Sequence, residues 1–254
     1  MDEVVALFER LGFTVTPRGH HTLGSINHVI VFGTDYLELL GYPPGNPPPT
    51  RPELATYPVG LMATVLATPD ADAARADLLS RGLQPRPVQA LSRPVDLGRG
   101  LVQDATFRVT RLEPDAVPGT WFYYCQHLTP ELIWRPEWQT HANGANALFG
   151  IDITVPDLAT ALPRYRACLL DDMPETIGGS ASSAILPLRD CNLHLREAAG
   201  PAHMCGLTFR VDAIQPVTAI LQRAGIAFDR AGESLLIDRV TTFGAKIQFA
   251  ALAH

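Results

Sequence analysis

The sequence predicts an α+β fold built from four copies of one short unit, and three patterns support this prediction. Apolar residues at helical spacing stop at a glycine in three places, Gly12, Gly82 and Gly225. These glycines lie 70 and 143 residues apart, which corresponds to one and about two unit lengths. β-rich runs precede three of the helical segments, and strand-like runs follow all four. Each unit is therefore expected to contain a strand, a helix and about three further strands.

The helices are predicted from apolar residues that recur every three or four positions. In the first helical segment, Val5, Phe8 and Leu11 share one face. The third segment has the same apolar face but lacks the terminal glycine. An ordinary α+β domain with coincidental spacing is the alternative to a true repeat. The four predicted helices are Asp2–Phe13, Asp70–Leu83, Asp157–Leu170 and Asp212–Ile226.

The opening strands are predicted from β-rich runs that lead into an aspartate and then the helix. Three such runs are present, at Leu61–Thr68, Phe149–Val155 and Gly206–Val211. The first helix begins at the start of the sequence, so the first unit has no residues for an opening strand. Two explanations stay open: the chain is shortened from a longer reading frame, or its first unit is built one strand short.

The four units are expected to pair into two cupped mixed sheets. Units one and two would form an N-terminal domain, residues 1–140, and units three and four a C-terminal domain, residues 141–254. The segment Gln139–Asn146 is polar and rich in turn-forming residues, which is typical of a domain boundary.

The composition suits a globular cytoplasmic protein. The chain has 254 residues, of which 46% are hydrophobic, and a formal charge of −6 without a block of basic residues. This charge argues against a nucleic-acid partner. A run of about 18 apolar residues, as a membrane helix requires, is lacking. The four cysteines form no CxxC pair, and acidic residues stand where a signal peptide would be basic.

Two segments resemble the vicinal-oxygen-chelate (VOC) superfamily, in particular its glyoxalase-like group. Phe8–Gly41 resembles this group in its LGF turn, its GxxN stretch Gly24–Asn27 and the sequence YLELLG. Phe122–Asn146 is similar to a second hallmark of the group. The resemblance covers roughly the first 150 residues. It implies paired units that form a cup around a small-molecule ligand.

The resemblance also implies a divalent metal such as Zn, Ni, Fe or Mn. The superfamily typically binds it with a histidine on the first strand of a unit and a glutamate or histidine on the last. Glu38 holds the last-strand position in the first unit, and a solvent-facing glutamate is the alternative interpretation. The equivalents of Glu38 in the third and fourth units are His194 and Gln248, and the first-strand positions fall near Ala63, Gly150 and Cys205. Since these first-strand residues lack the expected histidine, the metal site is expected to be incomplete in this chain.

His127 is the expected partner of Glu38, because it follows the strand WFYYCQ at a place where a side chain can turn into the cavity. A capping or surface histidine is the alternative. His21, Asn27 and His28 are expected to contact substrate. A cysteine nucleophile, Cys125, with His127 as its base is a less favoured arrangement.

These residues predict an enzyme that uses the metal as a Lewis acid on a small oxygenated substrate, in a lyase, isomerase or dioxygenase reaction. Glu38 and His127 would be both metal ligands and catalytic residues. Two alternatives remain at this stage: a metal-free small-molecule-binding VOC protein, and an inactive truncated form. A homodimer is also left open.

Overall fold

A computed structural model of the chain describes residues 1–46, 52–55, 57–170 and 179–251. These residues contain helices α1 (Asp2–Arg10), α2 (Ala71–Ser80), α3 (Leu158–Cys168) and α4 (Ile214–Ala224). The strands of the first two units are β1 (Gly19–His20), β2 (Ile26–Val31), β3 (Tyr36–Gly41), β4 (Ala63–Ala67), β5 (Gln89–Asp96), β6 (Val102–Arg111) and β7 (Trp121–His127). Those of the last two units are β8 (Ala145–Val155), β9 (Gly179–Ser180), β10 (Ser183–Pro187), β11 (Asn192–Glu197), β12 (His203–Val211), β13 (Asp229–Ala231), β14 (Ser234–Ile237) and β15 (Lys246–Ala251).

This element order confirms the α+β class. Units two, three and four each run strand, helix and three strands, and the first unit runs helix and three strands. The predicted helices all form, each slightly shorter than expected. No helix in the described ranges is long and apolar enough to cross a lipid bilayer.

Two of the predicted aspartates begin a helix as expected. The Asp70 carboxylate accepts hydrogen bonds from two backbone N–H groups of the first turn of α2, and Asp157 does the same for one such group in α3. The third, Asp212, differs, because its carboxylate accepts a 2.7 Å hydrogen bond from the Asn146 amide. Asp212 therefore links α4 to the start of β8 rather than capping its own helix.

The predicted terminal glycines follow α1, α2 and α4. Gly225 lies in the left-handed region at φ 64°, and Gly12 and Gly82 also have positive φ. A residue with a Cβ adopts this conformation only at a cost, so glycine suits a sharp stop. α3, which lacks such a glycine, ends in an extended residue instead.

The strands of units three and four form one sheet. Its eight described strands run in the order β13-β14-β15-β12-β8-β11-β10-β9. The two opening strands, β8 and β12, lie antiparallel at the centre. Each is flanked by the last strand of its own unit in parallel, β11 beside β8 and β15 beside β12. This arrangement is the pairing of two units that the repeat predicts.

The strands of units one and two form two separate sheets, ordered β1-β2-β3 and β4-β7-β6-β5. By the repeat, β3 corresponds to β11 and β4 to β12, and both of those strands pair with β8. Within the described ranges, no strand lies between β3 and β4. The N-terminal half is thus an open cup with a gap at the position that β8 holds in the C-terminal half.

Alternation along the strands divides the apolar residues between two cores. The larger core contains the helices, the back of the N-terminal strands and one face of the C-terminal sheet, with Phe32, Phe122 and Phe209 fully buried in it. The smaller core lies inside the N-terminal cup and contains residues such as Val31 and Phe107. The larger core therefore joins the two halves of the chain, and the smaller core forms the inner face of the N-terminal cup.

Candidate functional site

A cleft of about 1440 Å³ opens between the two N-terminal sheets. Every residue of β3 and of β4 lines it. Since neighbouring residues of a strand point to opposite faces, the cleft passes between these strands and continues into the cup. Ligand pockets usually measure about 300–1,000 Å³. The cleft exceeds this range because it extends through the gap between the two strand edges to the C-terminal half, where residues such as Leu148 and Ile247 line it.

Glu38 lies on the inner face of β3, at the middle of the cleft. Its Oε1 accepts a 2.7 Å hydrogen bond from the Asn27 side-chain amide on β2. The Nε2 atom of His21 lies 4.0 Å from the same oxygen. The Glu38 side chain is 30% exposed, whereas that of His21 is 7% exposed. The carboxylate therefore faces the cleft while the surrounding protein groups orient it.

His21 is held in place by the loop between β1 and β2. Its Nδ1 atom lies 2.9 Å from the Ser25 hydroxyl, and its backbone N–H donates to the Ser25 carbonyl. With Nδ1 engaged by a neutral hydroxyl, Nε2 is directed to the side of Glu38. The spacing of four residues between His21 and Ser25 is therefore part of the site.

Arg93 contributes a buried positive charge to the same wall. It lies on the inner face of β5, is 4% exposed and lines the cleft. Burial lowers the pKa of its guanidinium, and the neighbouring Glu38 and Tyr36 act in the opposite direction. Arginine still carries its charge at neutral pH because its ordinary pKa is so high.

A hydrogen-bonded aromatic pair lies near Glu38 and joins Tyr36 on β3 to His127 on β7. The Tyr36 hydroxyl lies 3.1 Å from Nε2 of His127. Burial raises the pKa of Tyr36 well above its usual range and lowers the pKa of His127 to about 4. At neutral pH the phenol is thus protonated and the imidazole neutral, so the hydroxyl donates to Nε2. The rings of Phe107 and Trp134 contact the His127 ring edge to face.

The structure brings four of the five predicted site residues to this cleft: Glu38, His127, His21 and Asn27. The fifth, His28, lies on the opposite face of β2. Its Nδ1 donates to the Thr16 carbonyl and its Nε2 accepts from Arg18, so both ring nitrogens are used in the wall of the protein. A role for His28 in substrate contact is not supported by this orientation.

Cys125 shares the inner face of β7 with His127, as the cysteine-nucleophile arrangement requires. Burial raises the pKa of the Cys125 thiol to about 12, and His127 already accepts from Tyr36. A thiol with this pKa is protonated at neutral pH and is a poor nucleophile. The geometry therefore favours an apolar wall role for Cys125.

The sequence patterns missed Arg93 and Tyr36. β5 was not placed from the sequence, although Leu91, Arg93 and Val95 alternate with polar or exposed residues there. An arginine on the apolar face of such a strand is a signal for a buried charge. Tyr36 precedes Glu38 by two residues, which places both on one face of a strand.

A sequence model of the glyoxalase-like domain family matches residues 1–169, well over half of the chain. The cup, the helices that back it and the order of the elements agree with this match. The chain belongs to the glyoxalase-like domain family of the VOC superfamily. A search of curated protein sequences finds no match.

The solved structures that resemble this glyoxalase-like protein share little sequence with it. A hypothetical protein from Staphylococcus aureus has a TM-score of 0.69 at 12% identity, covering 94% of this chain and 91% of that one. A fusion of a xylose isomerase-like TIM barrel with a 4-hydroxyphenylpyruvate dioxygenase has a TM-score of 0.64 at 15% identity. The match covers 100% of this chain and 47% of the fusion. Methylmalonyl-CoA epimerase from Mycobacterium tuberculosis matches over 44% of this chain and 91% of its own, with 15% identity and a TM-score of 0.36.

The divalent metal implied by the superfamily does not fit the donor set of the described residues. No group of three His, Cys, Asp or Glu side chains there is arranged to hold a metal ion. Glu38 offers one carboxylate, and Nε2 of His127, its expected partner, already accepts a hydrogen bond from Tyr36. Catalytic zinc sites commonly use three protein ligands. The buried charge of Arg93 on the same wall would also repel a cation.

The C-terminal cup has a smaller polar pair at the matching place. Nδ1 of His194, the equivalent of Glu38, lies 3.1 Å from a carboxylate oxygen of Asp152 on the neighbouring strand. Gly150 occupies the first-strand position beside it, with the His194 ring close above its Cα. The His194 and Asp152 side chains are engaged with each other. The Glu38 cleft is therefore the better candidate site.

Proposed function

We propose that this glyoxalase-like protein is an isomerase or lyase that moves a proton on a small oxygenated substrate, with Glu38 as the general base. The observation that carries the proposal is the position of the Glu38 carboxylate. It faces an apolar cleft while Asn27 and His21 orient it from behind. A carboxylate held in this way is suited to proton abstraction next to a carbonyl group.

In this proposal the chain's own residues perform the proton transfer. Glu38 takes the proton from a carbon next to the substrate carbonyl, and the electron pair of the C–H bond moves to the carbonyl oxygen. The same carboxyl then returns the proton to a different position or face. His21 and Asn27 keep the carboxylate in one orientation, which lowers the entropy cost of reaching the reactive geometry.

The Tyr36–His127 pair supports this chemistry without adding charge. A neutral imidazole and a protonated phenol keep that end of the cleft uncharged, and the aromatic rings around them exclude water. An environment with little water strengthens the electrostatic interactions of Glu38 with a bound substrate.

The metal-dependent form of this activity, with Glu38 and His127 as ligands, is a separate prediction that metal analysis tests. The purified chain would be incubated with Zn²⁺, Ni²⁺, Fe²⁺ or Mn²⁺, dialysed and analysed for bound metal. The donor geometry leads us to expect substoichiometric metal. Stoichiometric metal in wild type that is lost in both Glu38→Ala and His127→Ala would support the predicted metal site.

Proton exchange with solvent tests the proposed activity directly. The chain would be incubated in D2O with a panel of small 2-oxo acids, hydroxy ketones and thioesters, and loss of the proton next to the carbonyl followed by NMR. We expect exchange with at least one class, and its loss in Glu38→Gln. Glu9→Gln is the matched control, because Glu9 is exposed on α1 and does not line the cleft.

A second candidate is a binding protein that sequesters a small molecule without turnover. The extensive apolar walls around the single carboxylate of Glu38 favour it, since such walls suit the sequestration of an apolar ligand. Ligand binding without exchange in wild type, together with unchanged binding by Glu38→Gln, would favour this candidate over the enzyme.

A further inference from the structure

We propose that Arg93 binds the carboxylate of the natural ligand, so that the cleft selects small organic acids with an apolar remainder. The inference concerns the same cleft as the proposed function and names its substrate class. It rests on the geometry of Arg93 and its neighbours, and it remains testable if Glu38 proves not to be a base.

The guanidinium of Arg93 is buried but lacks a counter-group in direct contact. The residue is 4% exposed, and among the described residues no acceptor lies within hydrogen-bond or ion-pair distance of its side chain. Its charge interacts at longer range with Glu38 and Tyr36. Burying a charge is costly unless a partner offsets the loss of water. A side chain in this state, on the wall of a large cleft, is suited to an anion that enters the cleft.

The backbone next to Arg93 is shaped to admit this side chain. A Cβ atom at Gly19 would lie 2.8 Å from Cδ and 2.9 Å from Nη1 of Arg93, and 2.4 Å from Oδ1 of Asn27. Glycine at this place therefore lets the guanidinium and the Asn27 carbonyl lie side by side against the β1 backbone. The Oδ1 atom of Asn27 is buried and has no hydrogen-bond partner within the described ranges.

The guanidinium defines the chemistry of the ligand. Arginine presents a planar pair of N–H donors that matches a carboxylate. The Oδ1 atom of Asn27 is buried against the β1 backbone, so it shapes the wall beside Arg93 rather than binding the ligand. The apolar walls formed by residues such as Leu91 and Val109 suit the remainder of a small organic acid.

A carboxylate on Arg93 also explains how the site balances its charges. Glu38 is the nearby carboxylate, and it bonds to Asn27 rather than to Arg93. If Glu38 neutralised Arg93 directly, neither group would be available to a ligand. Because they are held apart, the guanidinium can bind an anion while the carboxylate stays free to accept a proton.

Binding of two probes of equal shape and different charge tests the assignment. Phenylacetate and phenylacetamide would be titrated into wild type, Arg93→Met, Arg93→Lys and Arg108→Met, with binding measured by calorimetry. Arg108→Met is the matched control, because Arg108 lies on β6 and pairs with Asp72 rather than lining the cleft. Circular dichroism of each variant confirms folding.

We expect wild type and Arg108→Met to bind phenylacetate about ten-fold more tightly than phenylacetamide, as one charge-assisted pair provides. Arg93→Met should bind both probes equally, with unchanged affinity for the amide, and Arg93→Lys should keep part of the preference. Equal affinity in wild type, binding of neither probe, or a preference that survives Arg93→Met would overturn the assignment.

Glu38→Gln separates this inference from the proposed function. We expect that variant to keep the preference for phenylacetate while losing proton exchange with solvent. A preference for the carboxylate without any exchange in wild type would sink the proposed enzyme and leave the role of Arg93 intact. Proton exchange in wild type without a preference for phenylacetate would support the proposed enzyme and overturn the role of Arg93.

Discussion

The Asn27 amide on β2 donates a 2.7 Å hydrogen bond to the Glu38 carboxylate on β3. The two residues are diagonal neighbours rather than direct partners, since Asn27 pairs with Leu40 and Glu38 with Val29. Diagonal side chains on one face of an antiparallel pair are within reach when both are long enough. This bond fixes the carboxylate against the sheet, so that its remaining oxygen is directed to the cleft.

Asn27→Asp should make the stability of the protein fall as pH rises. The introduced carboxyl would lie within hydrogen-bond distance of the Glu38 carboxylate in a buried position, which raises the pKa of the introduced group in the folded state. Its stabilising contribution is then complete below the ordinary aspartate pKa of about 3.9 and is lost as pH rises through the raised pKa of the folded state. Urea unfolding at pH 4 and pH 8 measures the difference.

Asn27→Ala is the control for that experiment, because it removes the amide without adding a charge. It should lower the free energy of unfolding by about 1–3 kcal/mol at both pH values, as loss of a buried hydrogen bond does. If the aspartate and alanine variants showed the same pH dependence, Asn27 would not lie against a charged Glu38.

Gly19→Ala should displace Arg93 and Asn27 together. The added methyl group would lie 2.4 Å from Oδ1 of Asn27 and 2.8 Å from Cδ of Arg93, distances that require both side chains to move. Overpacking of this kind typically costs about 1–3 kcal/mol. We expect lower stability in urea and loss of the preference for phenylacetate over phenylacetamide.

Gly33→Ala is the matched control, since a Cβ there would contact nothing within 4 Å. That variant should keep both stability and ligand preference. Full preference for phenylacetate in Gly19→Ala would show that the close packing at Gly19 does not position Arg93.

The fold could be predicted because its signals are local. The glycines that follow three helices and the aspartates that precede two of them each reflect a conformational rule that acts within a few residues. The N-terminal strands form two sheets, since no described strand pairs with both β3 and β4. Asp212 was misassigned as a helix start because Asn146, its true partner, is 66 residues away.

The site could be predicted only in part, because its key relationships join distant segments. Glu38 and Asn27 lie on one hairpin, and a strand pattern is enough to place them on the same face. Arg93 reaches that face from β5, and His127 reaches Tyr36 across 91 residues. His28 is adjacent to Asn27 on β2, so alternation along the strand places it on the opposite face, where it hydrogen-bonds to Thr16 and Arg18.

Tyr36 and His127 should behave as one unit in a double-mutant cycle. Tyr36→Phe removes the hydroxyl that donates to Nε2 of His127 and leaves that nitrogen buried without its donor, which costs about 1–3 kcal/mol. His127→Phe alone leaves the hydroxyl without its acceptor. The double variant removes both groups, so its loss in urea unfolding should be smaller than the summed losses of the single variants. Strict additivity would mean that the two side chains do not interact in solution.

Asp35 should make the wild type less stable at pH 7 than at pH 4. Its carboxyl accepts a hydrogen bond from the backbone N–H of Leu148 through one oxygen, while the other is buried without a partner in the described part of the chain. Burial raises the pKa of Asp35 to about 6. Because the folded state holds this proton more tightly than the unfolded chain, stability is complete below about pH 4 and falls as pH rises to 6.

Asp35→Asn tests this linkage, because the amide has nearly the same shape and no charge. Relative to wild type, the variant should gain at most about 3 kcal/mol of unfolding free energy between pH 4 and pH 7, the size of a shift of about two pKa units. Asp104→Asn is the matched control, since that side chain is exposed on β6. An equal pH dependence in wild type and Asp35→Asn would show that the Asp35 carboxylate stays hydrated in solution. The contact between the turn after β2 and the start of the C-terminal sheet would then be looser than the Asp35–Leu148 bond implies.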